Sequence, residues 1–119
     1  MTGPRPGSAG AAAEDRGLAW LQAQGLRLVE RNFRCRVGEI DLVMRDGATT
    51  VFVEVRLRSA PGFGSAAETV SWAKQRRLSA AARHYLQRHP DAARRPCRFD
   101  VLAITGERID WIENAFDAS

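Results

Sequence analysis

The strongest constraint on the fold lies between Gly38 and Arg58, in the stretch GEIDLVMRDGATTVFVEVRLR. After Val37, the residues Ile40, Leu42 and Met44, and then Val51, Val53, Val55 and Leu57, bring an apolar side chain to every second position of two runs. That is the repeat of a strand, and Asp46-Gly47 between the runs supplies turn chemistry, so the stretch reads as a hairpin. Phe52, Glu54, Arg56 and Arg58 fall on the face opposite the aliphatics of the second run, while Glu39 and Asp41 share a face with Val43.

The register follows from the loop. A four-residue loop, Asp46 to Thr49, sets Asp41 opposite Glu54, and a two-residue loop, Asp46-Gly47, sets Glu39 opposite Glu54. Either one gathers Glu39, Asp41, Glu54 and Arg56 on one face, whereas an odd loop mixes the faces. Carboxylates facing each other across strands repel, so a cation, a neighbouring base or a raised pKa must offset them.

Asp41, twelve intervening residues and then Glu54-Val55-Arg56 resemble the PD-(D/E)xK nuclease signature, with Arg in place of Lys. The wider pattern comprises Ala13-Glu14-Asp15, Arg31-Asn32-Phe33-Arg34, Gly38-Glu39-Ile40-Asp41-Leu42, Val51-Phe52-Val53-Glu54-Val55, Arg98-Phe99-Asp100-Val101 and Asn114-Ala115-Phe116. In that order these segments resemble the bacterial YraN-like family, itself similar in fold to archaeal Holliday-junction resolvases, over about Ala13 to Phe116. The resemblance implies an α/β fold with a restriction-endonuclease-like αβββαβ core, a mixed sheet flanked by helices. It also implies Asp41 and Glu54 as Mg²⁺ ligands (Mn²⁺ being the substitute), the carbonyl of Val55 as a third ligand and Glu14 as an outer or water-mediated one. Glu39 is a weaker candidate.

The residues from Leu26 to Cys35 read as a strand leading into the hairpin. A helix is expected over Ala11 to Gln24, with Leu18, Leu21, Ala19 and Ala23 as its apolar stripe and Gly25 ending it. Glu14 lies in its first turn, where the helix dipole favours a carboxylate without any metal. Residues 1–10 are rich in Gly and Pro and are expected to be a disordered leader to a single domain over 11–119. Arg58 to Ser65 reads as a loop beside the site, with Phe63 at its tip, expected to pack down rather than to wedge against a base.

A long helix is expected from Trp72 to Arg88, capped by Ser71, with Leu78, Ala81, Ala82, Tyr85 and Leu86 buried. Its four arginines are then left on the surface, and His84 and His89 face solvent. Asp91 to Pro96 reads as a turn, and strands follow over Arg98 to Ile104 and Arg108 to Ile112, with Gly106 turning the chain between them. Asp100 is expected to pair with Arg56 or Arg58 in a structural role.

The chemistry of position 56 differs from the family pattern. An arginine supplies charge and grips phosphate bidentately, but its pKa above about 12 bars it from acting as a base. Of the 18 basic residues, Lys74 alone is lysine, and it stands in the first turn of its helix, where a cation is disfavoured by roughly 0.3–1 kcal/mol. Lys74 is therefore a candidate for the movable ammonium, pointing back to Glu54; the plain alternative is an exposed lysine that tolerates the dipole. An amine more than about 10 Å from Asp41 and Glu54 excludes the first reading.

Composition bounds the rest. At 119 residues, 45% hydrophobic and 27% charged, the chain suits one domain with one core. No apolar run reaches the roughly 18 residues of a membrane span, and no signal-peptide core opens the chain, which makes a cytoplasmic location and no membrane partner the expectation. Cys35 and Cys97 are far apart, form no zinc pattern and are expected to be reduced thiols. A net charge of +4 suits a soluble domain and also a nucleic-acid partner. Three function classes stay open: a Mg²⁺-dependent endonuclease on branched or structured DNA, a non-catalytic nucleic-acid-binding protein with a nuclease fold, and a protein-interaction module. The resolvase resemblance adds a homodimer, although no apolar stretch marks a partner surface.

Overall fold

The computed structural model describes residues 10–58 and 70–117. Their elements are α1 (Ala11–Ala23), β1 (Arg27–Cys35), β2 (Gly38–Asp46), β3 (Thr49–Leu57), α2 (Trp72–Arg88), α3 (Pro90–Ala93), β4 (Cys97–Thr105) and β5 (Arg108–Phe116). They build one five-stranded sheet in the order β1-β2-β3-β4-β5. Strands β3 and β4 run parallel and the other neighbours antiparallel, so the sheet is mixed, as an α-β-β-β-α-β chain order requires once α2 provides the crossover. The short α3, begun by Pro90 at its first position, takes up the first half of the turn expected over Asp91 to Pro96. The last strand runs on to Phe116, past the expected Ile112. The leader lies, but for Gly10, outside the described residues, as does Phe63.

Both sheet faces are covered. Val51, Val53 and Val55 pack with Leu42, Met44, Leu102 and Ile104 against Leu21 of α1. On the other side Val43, Phe52, Phe99 and Val101 pack against Leu78, Ala81, Ala82 and Tyr85 of α2. The face that carries Glu54 is therefore not a solvated one: Phe52 and Val43 share it and are apolar enough to recruit a helix. Leu57, expected with the aliphatics, is 61% exposed at the strand's end. Leu86 is only partly buried, and His89 is no free surface residue, since its ring stacks on Tyr85 at 4.0 Å.

Of the expected stripe of α1, Leu21 is fully buried and Leu18 packs partly buried beside it, but the other buried residues are Glu14 and Gly17, spaced i, i+3 and i+7 with Leu21, rather than Ala19 and Ala23. Gly17 explains the difference: a Cβ there would stand 2.8 Å from Leu102 Cδ2, so the helix closes on the sheet along its glycine. That orientation turns Glu14 inwards.

Candidate functional site

The site is built where the β2–β3 ladder opens. Pairing runs from Asp46↔Thr49 to Leu42↔Val53, with Gly47 at φ +59° in the tip. This register is the one that sets Asp41 against Glu54, not the one that sets Glu39 there. Two residues beyond Val53, past the last paired position, the amide of Val55 donates to Asp41 Oδ2 at 2.8 Å. A side chain thus takes a rung of the ladder. Ile40 correspondingly packs with the α2-side cluster instead of beside Leu42.

Asp41 and Glu54 are 1% and 2% exposed, which is unusual for charged groups without full pairing. Burial, first, and the neighbouring Glu54 charge, second, push the Asp41 carboxyl well above its usual range, against the pull of the Val55 amide. Lys74 Nζ stands 3.0 Å from Glu54 Oε2, and Arg56 Nη1 stands 3.9 Å from the same oxygen. Neither contact has hydrogen-bond alignment, and Glu54 Oε2 is a buried oxygen that accepts no hydrogen bond. The Lys74 amine thus falls well inside the distance set for it from the sequence. Ser71 positions it, accepting the Lys74 backbone N–H at 3.1 Å as the cap of α2.

Glu14 is 6% exposed and accepts from Asn32 Nδ2 at 2.9 Å, with Arg31 Nη2 at 3.6 Å. Burial raises its pKa, partly offset by Arg31, with Glu39 adding a smaller upward push. Its charge is also felt at Asp41, so the two acids belong to one electrostatic cluster. Glu39 lies at the rim, 3.5 Å from Arg34 Nε. Asn32, at φ 52°, joins the site through Glu14, and its signal in the sequence is its place in the Arg31-Asn32-Phe33-Arg34 segment.

Asp100 departs from expectation. Parallel pairing sets it beside Val53, with Val101 beside Glu54, so it belongs to the sheet face opposite Glu54 and Arg56. Fully buried, it accepts from Arg98 Nε at 3.0 Å, Trp111 Nε1 at 2.9 Å and the Asn114 amide at 2.9 Å. The role is structural, but the partners are Arg98, Trp111 and Asn114, not Arg56 or Arg58. Asn114, at φ 52°, sits where the β4–β5 register shifts, and Asp100 pins that irregularity.

Among the described residues no three acidic, His or Cys side chains converge as a ready-made metal cage. Asp41 and Glu54 alone could still hold a hard cation such as Mg²⁺, which binds through one or two carboxylates and keeps several waters. The unsatisfied Glu54 Oε2 and the uphill charge of Asp41 are what such an ion would relieve. Among the described residues no helix is long and apolar enough to cross a membrane, and Cys35 and Cys97 are both free.

The sequence pattern of a family described as Uncharacterised protein family UPF0102 matches residues 13–104. Among similar chains, a UPF0102 protein of Ralstonia nicotianae is 59% identical over 93% of this chain and 89% of its own length. One of Alkalilimnicola ehrlichii is 55% identical over 92% and 86%, and one of Nitrosomonas europaea 53% identical over 95% and 97%. The paired acids, the Asn32 support and the Asp100 pin therefore lie in segments of a family pattern that covers most of the chain, and the protein belongs to family UPF0102, the YraN-like family its motifs resemble.

Proposed function

We propose that this chain is a Mg²⁺-dependent endonuclease, with Mn²⁺ as substitute, acting on branched or otherwise structured DNA. The observation that supports it is a pair of buried carboxylates, Asp41 and Glu54, one locked by a backbone amide and the other left with an unsatisfied oxygen beside an ammonium. A structural acid pair gains nothing from that arrangement; an acid pair that receives a divalent ion does. In this reading Asp41 and Glu54 hold the ion with the Val55 carbonyl, and Glu14 steadies it from further out. The ion would lower the pKa of water and polarise the phosphate. The Val55 amide fixes the Asp41 carboxylate in one orientation. Lys74 Nζ, beside Glu54, is the group that can give or take a proton, and Arg56 grips a phosphate oxygen without moving a proton.

A second reading, a non-catalytic nucleic-acid binder, is favoured by the ion contacts of Lys74 and Arg56 with Glu54, which already neutralise that carboxylate in the absence of metal. Incubating the protein with branched, flapped and linear DNA in Mg²⁺, Mn²⁺ or EDTA decides between them. Metal-dependent cuts lost in Asp41→Asn and Glu54→Gln support the nuclease. Salt-sensitive binding without cuts, unchanged in both variants, supports the binder.

A further inference from the structure

The helix α2 carries Lys74, Arg76, Arg77, Arg83 and Arg88 and no acid, a local charge larger than the +4 of the whole chain. Cations in its first turns oppose the helix dipole, so they are not there to stabilise the helix. Arg88 is engaged over the Phe33 ring at 5.8 Å. The others border two adjoining hollows. One, of about 640 Å³, is lined by the turn Cys35–Gly38 with Glu39, Lys74, Arg77 and Leu78. The second, of about 470 Å³, is lined by Val37, Arg76, Arg77, Ala80 and Arg83. Val37 and Arg77 border both, so the two form one groove that begins at Lys74, beside Glu54.

The groove is a built feature. A Cβ at Gly38 would stand 2.8 Å from the Arg77 carbonyl oxygen, so the β1–β2 turn is seated directly on α2. That contact brings the exposed Arg36 and Val37 up against the helix arginines. Along the outer surface of α2, Trp72, Arg76, Ala80 and Arg83 fall in one row, spaced i, i+4, i+8 and i+11, over about 16 Å. Trp72 heads that row and is 66% exposed, where a tryptophan would ordinarily be covered.

We infer that this groove is the track for a single-stranded segment of nucleic acid, with Trp72 as a base-stacking platform and Arg76, Arg77, Arg83 and Arg36 as phosphate contacts. An exposed indole in line with a row of guanidiniums is the combination that single strands need and that the smooth backbone of a duplex does not. The inference rests on the nucleic-acid half of the function proposed above and not on cleavage. It gives that site its substrate class: a strand delivered unpaired to Lys74 and Glu54.

The test is binding of the full chain, in EDTA and at about 50 mM salt, to labelled oligothymidylate, oligouridylate and a blunt DNA duplex. The expected result is tighter binding of single strands than duplex, with the thymidylate and uridylate arms separating DNA from RNA. Trp72→Ala should weaken single-strand binding about fivefold or more and Trp72→Phe less, because every base offers a face to stack. The combined Arg76→Ala, Arg77→Ala and Arg83→Ala variant should flatten the salt slope by about 2, at roughly 0.7 per lost phosphate contact. Oligothymidylate should quench the indole emission of the parent chain and lose most of that effect in Trp72→Phe. Arg94→Ala and Arg108→Ala, outside the groove, should bind as the parent does. Equal losses in those two controls, unaltered binding in the groove variants, duplex preference, or no binding at all would each overturn the inference. Binding through the groove with no cleavage in any metal removes the nuclease reading only, and metal-dependent cleavage indifferent to Trp72 and the three arginines removes the groove only.

Discussion

Replacing Asp41 by Asn and by Ala separates charge from hydrogen bonding. Both changes remove a buried acid whose charged form is disfavoured by burial and by facing Glu54, so both relieve the same penalty. Only Asn keeps an oxygen for the Val55 amide, which Asp41 Oδ2 holds at 2.8 Å. Alanine strands that buried N–H, at a cost of about 1–3 kcal/mol. With about 2.1 cal/mol/K of unfolding entropy per residue over 119 residues, 1 kcal/mol corresponds to about 4 °C. Asp41→Asn should therefore melt about 4–12 °C above Asp41→Ala, and above the parent at neutral pH in EDTA. The pH dependence has a definite sign. The folded-state pKa of Asp41 is raised, so its contribution is fully present below the usual carboxylate range and is lost as pH rises through the folded value. The advantage of Asp41→Asn should accordingly shrink on acidification. Thermal melts of the three proteins across about pH 4–8 measure it directly. Equal melting of Asn and Ala variants, or an Asn variant less stable than the parent at neutral pH, would show that the acids do not share the buried, repelling geometry described.

Three further outcomes follow, two from this site and one from the opposite face of the sheet. Lys74→Met should cost about 2 kcal/mol in a denaturant titration, less than the roughly 3–5 kcal/mol of a fully buried pair because Lys74 is 21% exposed, and should abolish any metal-dependent cleavage. Arg56→Lys should change the cleavage rate by no more than about tenfold, since Lys74 already supplies an ammonium 0.9 Å closer to Glu54 (3.0 against 3.9 Å); a gain of several hundredfold would move the proton-handling role to position 56. Asp100→Ala should destabilise by about 3 kcal/mol or more and alter the near-ultraviolet dichroism of Trp111, whose indole N–H it leaves without its acceptor.

How much of this was legible in the sequence depends on the range of the interaction. The hairpin, the two long helices, the Ser71 cap and the Gly25 and Gly106 stops follow from side-chain period and local backbone preference, and these act over a few residues. The even-loop rule restricted the hairpin to the registers that gather Asp41 and Glu54, and a retained lysine in an unfavourable helix turn marked Lys74. The sequence could not say which face of α1 meets the sheet: its alanines suit either, and a contact between Gly17 and Leu102 decided it. Nor could it say that the acidic face lies beneath a helix, because burial of Glu54 depends on where the α2 crossover lands. Asp100 makes the same point. Its place on the opposite face depends on the parallel pairing of β3 with β4, joined by residues far apart in the chain. Period and propensity are properties of neighbours in sequence, and they determined the elements. Register between distant strands and the closeness of helix to sheet are properties of the packed whole, and only tertiary structure decided which acids would meet, how dry they would be, and which cation would stand beside them.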